Sequence, residues 1–218
     1  MSPGRMLSFS PEAFFSLFEQ YNRAIGPAPT VAYGLGLAAL ALALRPVPHG
    51  SRIVAAILAL MWAWNGIAYH LIHFAEINFA APIFAAVFVV QGLLFALTGT
   101  IRGKIAFRFR ADLFGRTGLG LAVFALAIYP LLGALAGHGW PRAALFGVAP
   151  CPTTIFTLGL LLLIEGRMPW HLIAIPVLWS LVGGTAVWLL GVPEDLALPL
   201  AGLAALGLAL RRNRRAET

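Results

Sequence analysis

Two histidines and a glutamate recur at three-residue intervals near the end of one long apolar stretch. His70, His73 and Glu76 stand in the string His-Leu-Ile-His-Phe-Ala-Glu. Residues three apart are neighbours on an α-helix, so this row can present two imidazoles and a carboxylate to a transition-metal ion. Two other interpretations stay open. The histidines hydrogen-bond neighbouring helices or water at the membrane interface, or they relay protons.

The same stretch carries two more polar side chains one and two turns earlier. Asn65, Tyr69 and His73 recur every four residues and therefore share one helix face. Polar groups inside a membrane are costly, and they are functional candidates by default. We therefore expect Asn65, Tyr69 and His70 to contact a ligand.

The only cysteine of the chain lies in a string rich in proline and threonine. The string from Pro150 to Thr157 predicts a helix that begins near Cys151, because proline loses no hydrogen bond in a first helical turn. Residues 146–149 would then be non-helical, which a membrane tolerates only against protein or a water-filled cavity. A helix start favours an anion or a thiolate, and a thiolate binds soft metals. Alternatively, Cys151 is a small buried residue, and Thr153 and Thr154 bond back to the backbone.

Loops that we expect at the same end of the protein supply further polar groups. His138 follows the fourth apolar stretch, and Asp195 precedes the last one. If the helices form one bundle, these groups converge near its outer mouth. The predicted ligand-binding set is Asn65, Tyr69, His70, His138, Cys151, Thr153, Thr154 and Asp195.

Composition indicates that membrane-spanning helices must position these groups. The 218 residues are 60% hydrophobic and 11% charged, whereas soluble domains carry about 25% charged residues. In lipid, only helices and closed barrels satisfy their backbone polar groups, and these long apolar runs lack the alternation of barrel strands. We predict an all-α integral membrane bundle of about seven transmembrane helices. The candidate stretches are Pro27–Leu44, Arg52–Phe74, Phe79–Ile101, Thr117–Gly137, Pro150–Ile164, Trp170–Leu190 and Leu196–Leu210.

Basic residues orient this bundle. With seven crossings, twelve of the 15 Lys and Arg residues fall on one side, and only Arg5, Arg23 and Arg142 fall on the other. Cytoplasmic loops carry the excess of basic residues, so we expect the N-terminus outside and the C-terminus in the cytoplasm. The twelve are Arg45, Arg52, Arg102, Lys104, Arg108, Arg110, Arg116, Arg167, Arg211, Arg212, Arg214 and Arg215.

The chain divides into three predicted regions. Residues 1–26 contain an amphipathic helix with Ser10 as N-cap, Pro11 at its first position and aromatic residues at helical spacing. It lies in the outer membrane interface or packs on the bundle. Residues 27–210 form the seven-helix transmembrane domain, and residues 211–218 form a basic cytoplasmic tail.

Several strings together resemble an uncharacterised bacterial family of multispan membrane proteins, classed only as a domain of unknown function. The most specific is Cys-Pro-Thr-Thr-Ile-Phe-Thr from Cys151. The others are Trp64-Asn65-Gly66 with Tyr69-His70, Pro130-Leu131-Leu132-Gly133, Gly137-His138-Gly139 with Pro141, Trp179 with Gly183-Gly184, and Val192-Pro193 with Asp195. The resemblance runs over most of the chain. It implies a bacterial inner-membrane setting and no particular activity, cofactor or catalytic residue.

Three functions are consistent with these patterns. The first is binding or transport of a small solute or metal ion through an outward-facing polar pocket. The second is a membrane-embedded metal-dependent enzyme with Glu76 or Asp195 as base, and the third is a non-catalytic membrane subunit or scaffold. The expected partners are the lipid bilayer, a small solute or ion, and further copies of the chain in a homo-oligomer. Nucleic acid is not expected, because the chain has no basic face interleaved with aromatic residues.

Overall fold

The computed structural model describes residues 9–45 and 47–215, and this part of the chain is all-α, as predicted. Residues 1–8 and 216–218, which belong to the predicted N-terminal region and tail, lie outside the described residues. Eight helices follow one another along the described part. They are α1 (Pro11–Ala24), α2 (Ala28–Leu44), α3 (Gly50–Glu76), α4 (Ala81–Ile101), α5 (Leu113–Leu135), α6 (Pro150–Leu162), α7 (Trp170–Leu189) and α8 (Pro193–Arg215).

Five of the helices in the described residues are long and apolar enough to cross a membrane, namely α3, α4, α5, α7 and α8. Helices α1 and α2 meet at a bend of 84° and add a sixth crossing only if the pair is one broken span. Helix α6 has 13 residues, about 20 Å at the α-helical rise, whereas the hydrocarbon layer is ~30 Å thick. The expected count of about seven is therefore not confirmed, because the stretches assigned to α2 and α6 are short.

Helix α6 is the centre of the bundle. Every one of its residues except Cys151 is buried, and it packs against α3, α5, α7 and α8. Gly118 of α5 and Gly159 of α6 allow the two backbones to touch, since a Cβ at either glycine would lie within 2.7 Å of the carbonyl oxygen of the other. The buried segment Phe146–Ala149 precedes α6 and is non-helical, as predicted.

One end of the bundle, which we call the basic end, is held together by the loop between α4 and α5. The amide of Phe109 donates to the carbonyl of Ala43 at the end of α2 (2.9 Å), and the amide of Phe107 donates to the hydroxyl of Ser51 at the start of α3 (2.9 Å). Asp112 caps α5 by accepting from the amide of Gly115. Most of the basic residues counted above belong to this loop and the helix ends around it.

Helix α8 continues through Arg215, so the first five residues of the predicted tail are helical. Arg212 is buried, and its guanidinium donates to the carbonyls of Leu162 (2.7 Å), the last residue of α6, and Ile164 (2.8 Å), just beyond it. The same guanidinium lies 4.3 Å from the ring centre of Phe114. These contacts fix the end of α8 against the bundle.

Helix α1 begins as its sequence predicts and packs on the opposite end, which we call the cavity end. Ser10 accepts a hydrogen bond from the amide of Ala13, and Pro11 follows at the first helical position. Phe18 and Tyr21 are buried against the ring of Tyr69 in α3. Helix α1 therefore packs on this end of the bundle.

Candidate functional site

A cavity of about 220 Å³ lies at the cavity end, beneath α1. Its walls come from α1, the last turns of α3, the middle and end of α7 and the start of α8. Aromatic side chains form a large share of its lining, including Phe14, Phe15, Phe18, Tyr69, Phe74 and Trp179. A concave, largely apolar cavity with a few converging polar groups is the usual form of a small-molecule site.

Hydrogen bonds hold α1 over this cavity. The hydroxyl of Tyr21 donates to the carbonyl of Val148 (2.8 Å). The side-chain amide of Asn22 donates to the carbonyls of Pro141 (2.7 Å) and Ala143 (2.8 Å). All three acceptors belong to the loop that leads into α6, so α1 is tied to the buried segment that precedes the central helix.

An exposed ion pair at the rim ties α1 to the same loop. The guanidinium of Arg142 donates to one carboxylate oxygen of Glu19 (3.1 Å), and Arg23 donates to the other (2.8 Å). The hydrogen bond from Arg142 is the main reason why the pKa of Glu19 lies below its ordinary value.

His70 faces inward from the end of α3, which is not α-helical. Residues Asn65–His73 form a π-helix, in which hydrogen bonds join residues five apart and each turn is wider. The imidazole is fully buried, and neither of its nitrogens has a hydrogen-bond partner among the described residues. Its ring is packed edge-on against those of Tyr69, Phe74, Phe84, Phe88 and Trp179.

Asp195 joins three helices at the wall of the cavity. It lies in the 3₁₀ turn Pro193–Leu196 that begins α8, and it is buried. Tyr129 of α5 donates its hydroxyl to one carboxylate oxygen (2.6 Å), and the thiol of Cys151 donates to the other (3.5 Å). Because a buried carboxylate without partners is very costly, these two bonds explain how Asp195 is tolerated.

Glu194 is also buried, but its carboxylate has fewer hydrogen-bond partners than that of Asp195. One carboxylate oxygen, Oε1, lies 3.9 Å from Nδ1 of His138, which is too long for a hydrogen bond. The other, Oε2, has no hydrogen-bond partner among the described residues. The His138 ring in turn stacks on Phe15 of α1 at 4.0 Å. Glu194, which lines the cavity, therefore keeps one buried acceptor without a protein donor among the described residues.

Five of the predicted ligand-binding residues line this one cavity. They are Tyr69, His70, His138, Cys151 and Asp195. The structure thus brings groups from α3, the loop after α5, the start of α6 and the start of α8 to one cavity, whereas His73 and Glu76 are not among its lining residues.

The other three predicted ligand-binding residues have bonding roles or positions outside the cavity. Asn65 donates to the carbonyls of Met61 (2.8 Å) and Gly147 (3.0 Å). Thr153 accepts from the amide of Gly147 (3.1 Å) and donates to the carbonyl of Ala149 (2.6 Å). Both side chains therefore stabilise the irregular segment before α6.

Thr154 is buried in α6, and its hydroxyl has no hydrogen-bond partner among the described residues. It is not among the residues that line the cavity. The expectation that this hydroxyl bonds back to the helix backbone is therefore not met.

The predicted metal ligands His70, His73 and Glu76 are not brought together. Nδ1 of His73 donates to the carbonyl of Ala68 (2.7 Å) and its ring packs on Tyr21, whereas Glu76 is exposed. In the wider π-helical turn, residues three apart no longer share a side, so His70 and His73 diverge. Within residues 9–45 and 47–215, no three His, Cys, Asp or Glu side chains are grouped to hold a metal ion.

Sequence reasoning left three groups of cavity residues out of the predicted site. Glu194 was not part of the predicted site, and neither were Tyr129 and Trp179. The aromatic residues of α1 were recognised as a helix face but not as part of the site. The spacing of Phe14, Phe15 and Phe18 was the available signal, because such a face must cover an apolar surface.

The fold and the cavity together define an α-helical bundle whose long apolar helices fit a multi-pass membrane protein. The chain belongs to a family of unknown function, DUF6064, which matches residues 11–218. The resemblance to an uncharacterised family is thereby confirmed. No curated protein and no solved structure matches the chain.

Proposed function

We propose that this protein binds a small, largely apolar solute in the cavity beneath α1. The observation that carries the proposal is the lining, in which aromatic walls enclose polar atoms that lack protein partners. Nδ1 and Nε2 of His70, Oε2 of Glu194 and Nε1 of Trp179 are all buried and unpaired within the described residues. A buried polar atom without a partner costs about 1–3 kcal/mol, and a bound solute with matching groups would recover that cost.

The size of the cavity favours a solute of about one ring. An engineered apolar cavity of ~150 Å³ accepts benzene, and this cavity has about 220 Å³. A ring with one short polar substituent fits that space.

The packing below the cavity favours binding over passage through the bundle. Trp62, Phe88 and Phe156 are fully buried beneath it, and the indole of Trp62 donates to Thr157 of α6 (3.0 Å). A solute that crossed the bundle would have to displace these rings, so transport would require a second arrangement of the helices.

We further propose a place and an orientation for this site. The basic end lies in the cytoplasm of a bacterium, and the cavity end faces outward across the inner membrane. The asymmetry of Lys and Arg supports this orientation. Cys151 is the only cysteine, so its modification tests this orientation. The reagent is 2-(trimethylammonium)ethyl methanethiosulfonate, which does not cross membranes. We expect faster modification in spheroplasts than in inverted vesicles, and the reverse order would overturn the orientation.

The same cysteine reports on solute binding. In purified protein, we expect benzyl alcohol to slow the modification of Cys151 by methyl methanethiosulfonate in a saturable manner. Ala186→Phe places a ring in the cavity and should remove that protection, whereas Ala174→Phe on the exposed side of α7 should preserve it. If benzyl alcohol gives no protection to wild type or Ala174→Phe, the proposed function is wrong.

A further inference from the structure

The charged groups of the cavity are unbalanced. Glu194 and Asp195 are both buried in its wall, and among the described residues Arg142 is the one Lys or Arg in its lining. Arg142 lies at the exposed rim and is paired with Glu19. Within residues 9–45 and 47–215, the interior therefore has two carboxyl groups and no Lys or Arg to pair with them.

The two carboxyl groups differ in what they can still bind. Each oxygen of Asp195 already accepts a hydrogen bond, from Tyr129 or from Cys151. Oε2 of Glu194 accepts none, and Nδ1 of His138 is 3.9 Å from the other oxygen. Glu194 is thus the carboxyl group of the cavity wall that still has an unpaired acceptor.

The remaining walls suit a positive charge. Trp179, Tyr69 and several phenylalanines surround the space, and the negative faces of aromatic rings attract cations. A neutral imidazole has one acceptor nitrogen, so His70 can also accept a hydrogen bond from a ligand. Among the described residues, an anion would meet two carboxyl groups and no Lys or Arg in the interior.

We infer that the solute of this cavity is a small organic cation, a protonated amine on an apolar body of about one ring. Its ammonium group donates to Oε2 of Glu194, and its body lies against the rings of α1, α3 and α7. This inference rests on the proposed function, because it names the chemical class of the solute for the same site.

The ammonium group has two sources, a free amine or the headgroup of an ethanolamine lipid. Nanodiscs distinguish them. If phosphatidylethanolamine is the source, Cys151 is protected without added amine in nanodiscs that contain it, and not in nanodiscs of phosphatidylglycerol alone. If a free amine is the source, protection in both lipids requires the added amine.

The decisive experiment compares benzylammonium with benzyl alcohol, which differ in charge and little in size. The probe is the rate at which methyl methanethiosulfonate modifies Cys151 in phosphatidylglycerol nanodiscs at pH 7. A charge-assisted hydrogen bond predicts half-protection at a concentration about tenfold or more lower for benzylammonium. Glu194→Gln should remove this preference. Glu165→Gln, at an exposed acid of the basic end that is paired with Arg108, should retain it.

A second measurement uses only the wild-type protein, so it does not depend on whether a variant folds. In wild type, Cys151 should react faster with the cationic 2-aminoethyl methanethiosulfonate than with the anionic 2-sulfonatoethyl methanethiosulfonate. Each rate is divided by the rate of the same reagent with a free thiol. Equal protection by benzylammonium and benzyl alcohol would overturn the cation inference and leave the proposed function standing. Absence of protection by either compound would remove the proposed function as well. A ratio that favours the sulfonate would also overturn the inference.

Discussion

Asn22 is the side chain through which α1 can be loosened most specifically. It is buried, and its amide donates to two carbonyls of the loop before α6, those of Pro141 and Ala143. Asn22→Ala removes both hydrogen bonds and leaves two carbonyl groups without their donor. The helix itself should tolerate the change, because alanine has the highest helix propensity.

The size of the effect follows from these two bonds. Each contributes about 0.5–1.5 kcal/mol net, and abandoned buried acceptors add to the loss, so we expect α1 to dock more weakly by about 2–3 kcal/mol. Since each 1.4 kcal/mol is a factor of ten, the undocked state of α1 should become roughly 30- to 140-fold more populated.

Modification of Cys151 measures this opening, because the thiol lies in the cavity that α1 covers. Purified Asn22→Ala should react with methyl methanethiosulfonate faster than wild type by up to that factor. Gln20→Ala is the matched control on the same helix, since Gln20 is exposed and bonds only within α1, to Ser16. A thermal unfolding curve for each variant excludes loss of the whole fold.

The result that would refute this reasoning is a rate for Asn22→Ala equal to that of Gln20→Ala. A reagent that reaches Cys151 equally fast in both variants enters without movement of α1. The cavity would then have another entrance, and α1 would be a permanent part of its wall.

Two further predictions concern the packing of α6 and the rim of the cavity. Gly118→Ala should lower Tm, because its Cβ would lie 2.6 Å from the carbonyl oxygen of Gly159. A Cβ at Gly120 would meet nothing within 4 Å, so Gly120→Ala should leave Tm unchanged or raised. Equal Tm values for the two variants would contradict the close packing of α5 and α6. The pKa of Glu19 is lowered in the folded protein by the bond from Arg142, so its stabilising effect is fully present above the ordinary value of 4.5 and is lost as the pH falls through the lower folded value. The Tm difference between wild type and Glu19→Gln should therefore shrink below pH 4.5, and a constant difference would contradict this assignment.

The positions of most helices could be predicted from the sequence because lipid leaves few alternatives. A continuous apolar run must satisfy its own backbone, and the α-helix does so within the segment. The predicted stretch Pro27–Leu44 corresponds to α2, which spans Ala28–Leu44. The predicted stretch Phe79–Ile101 corresponds to α4, which spans Ala81–Ile101. Hydropathy does not tell whether lipid or protein surrounds a helix, which is why α6 was expected to be a span.

The candidate site was predicted in part, and its errors have two physical causes. The spacing of His70 and His73 was interpreted with α-helical geometry, and the π-helix rotates one relative to the other. Glu194 was not identified as a site residue from the sequence. Its burial depends on His138 and on the close approach of Gly133 of α5, which are distant in sequence.

The burial of α6 on all sides has a consequence for biogenesis. A helix of 13 residues leaves the translocon too short to be held by lipid alone. Two of the helices that enclose it, α7 and α8, are synthesised afterwards. The surroundings of α6 can therefore form only after α7 and α8 have been synthesised, and nascent chains that stop before α7 should expose this segment to membrane proteases.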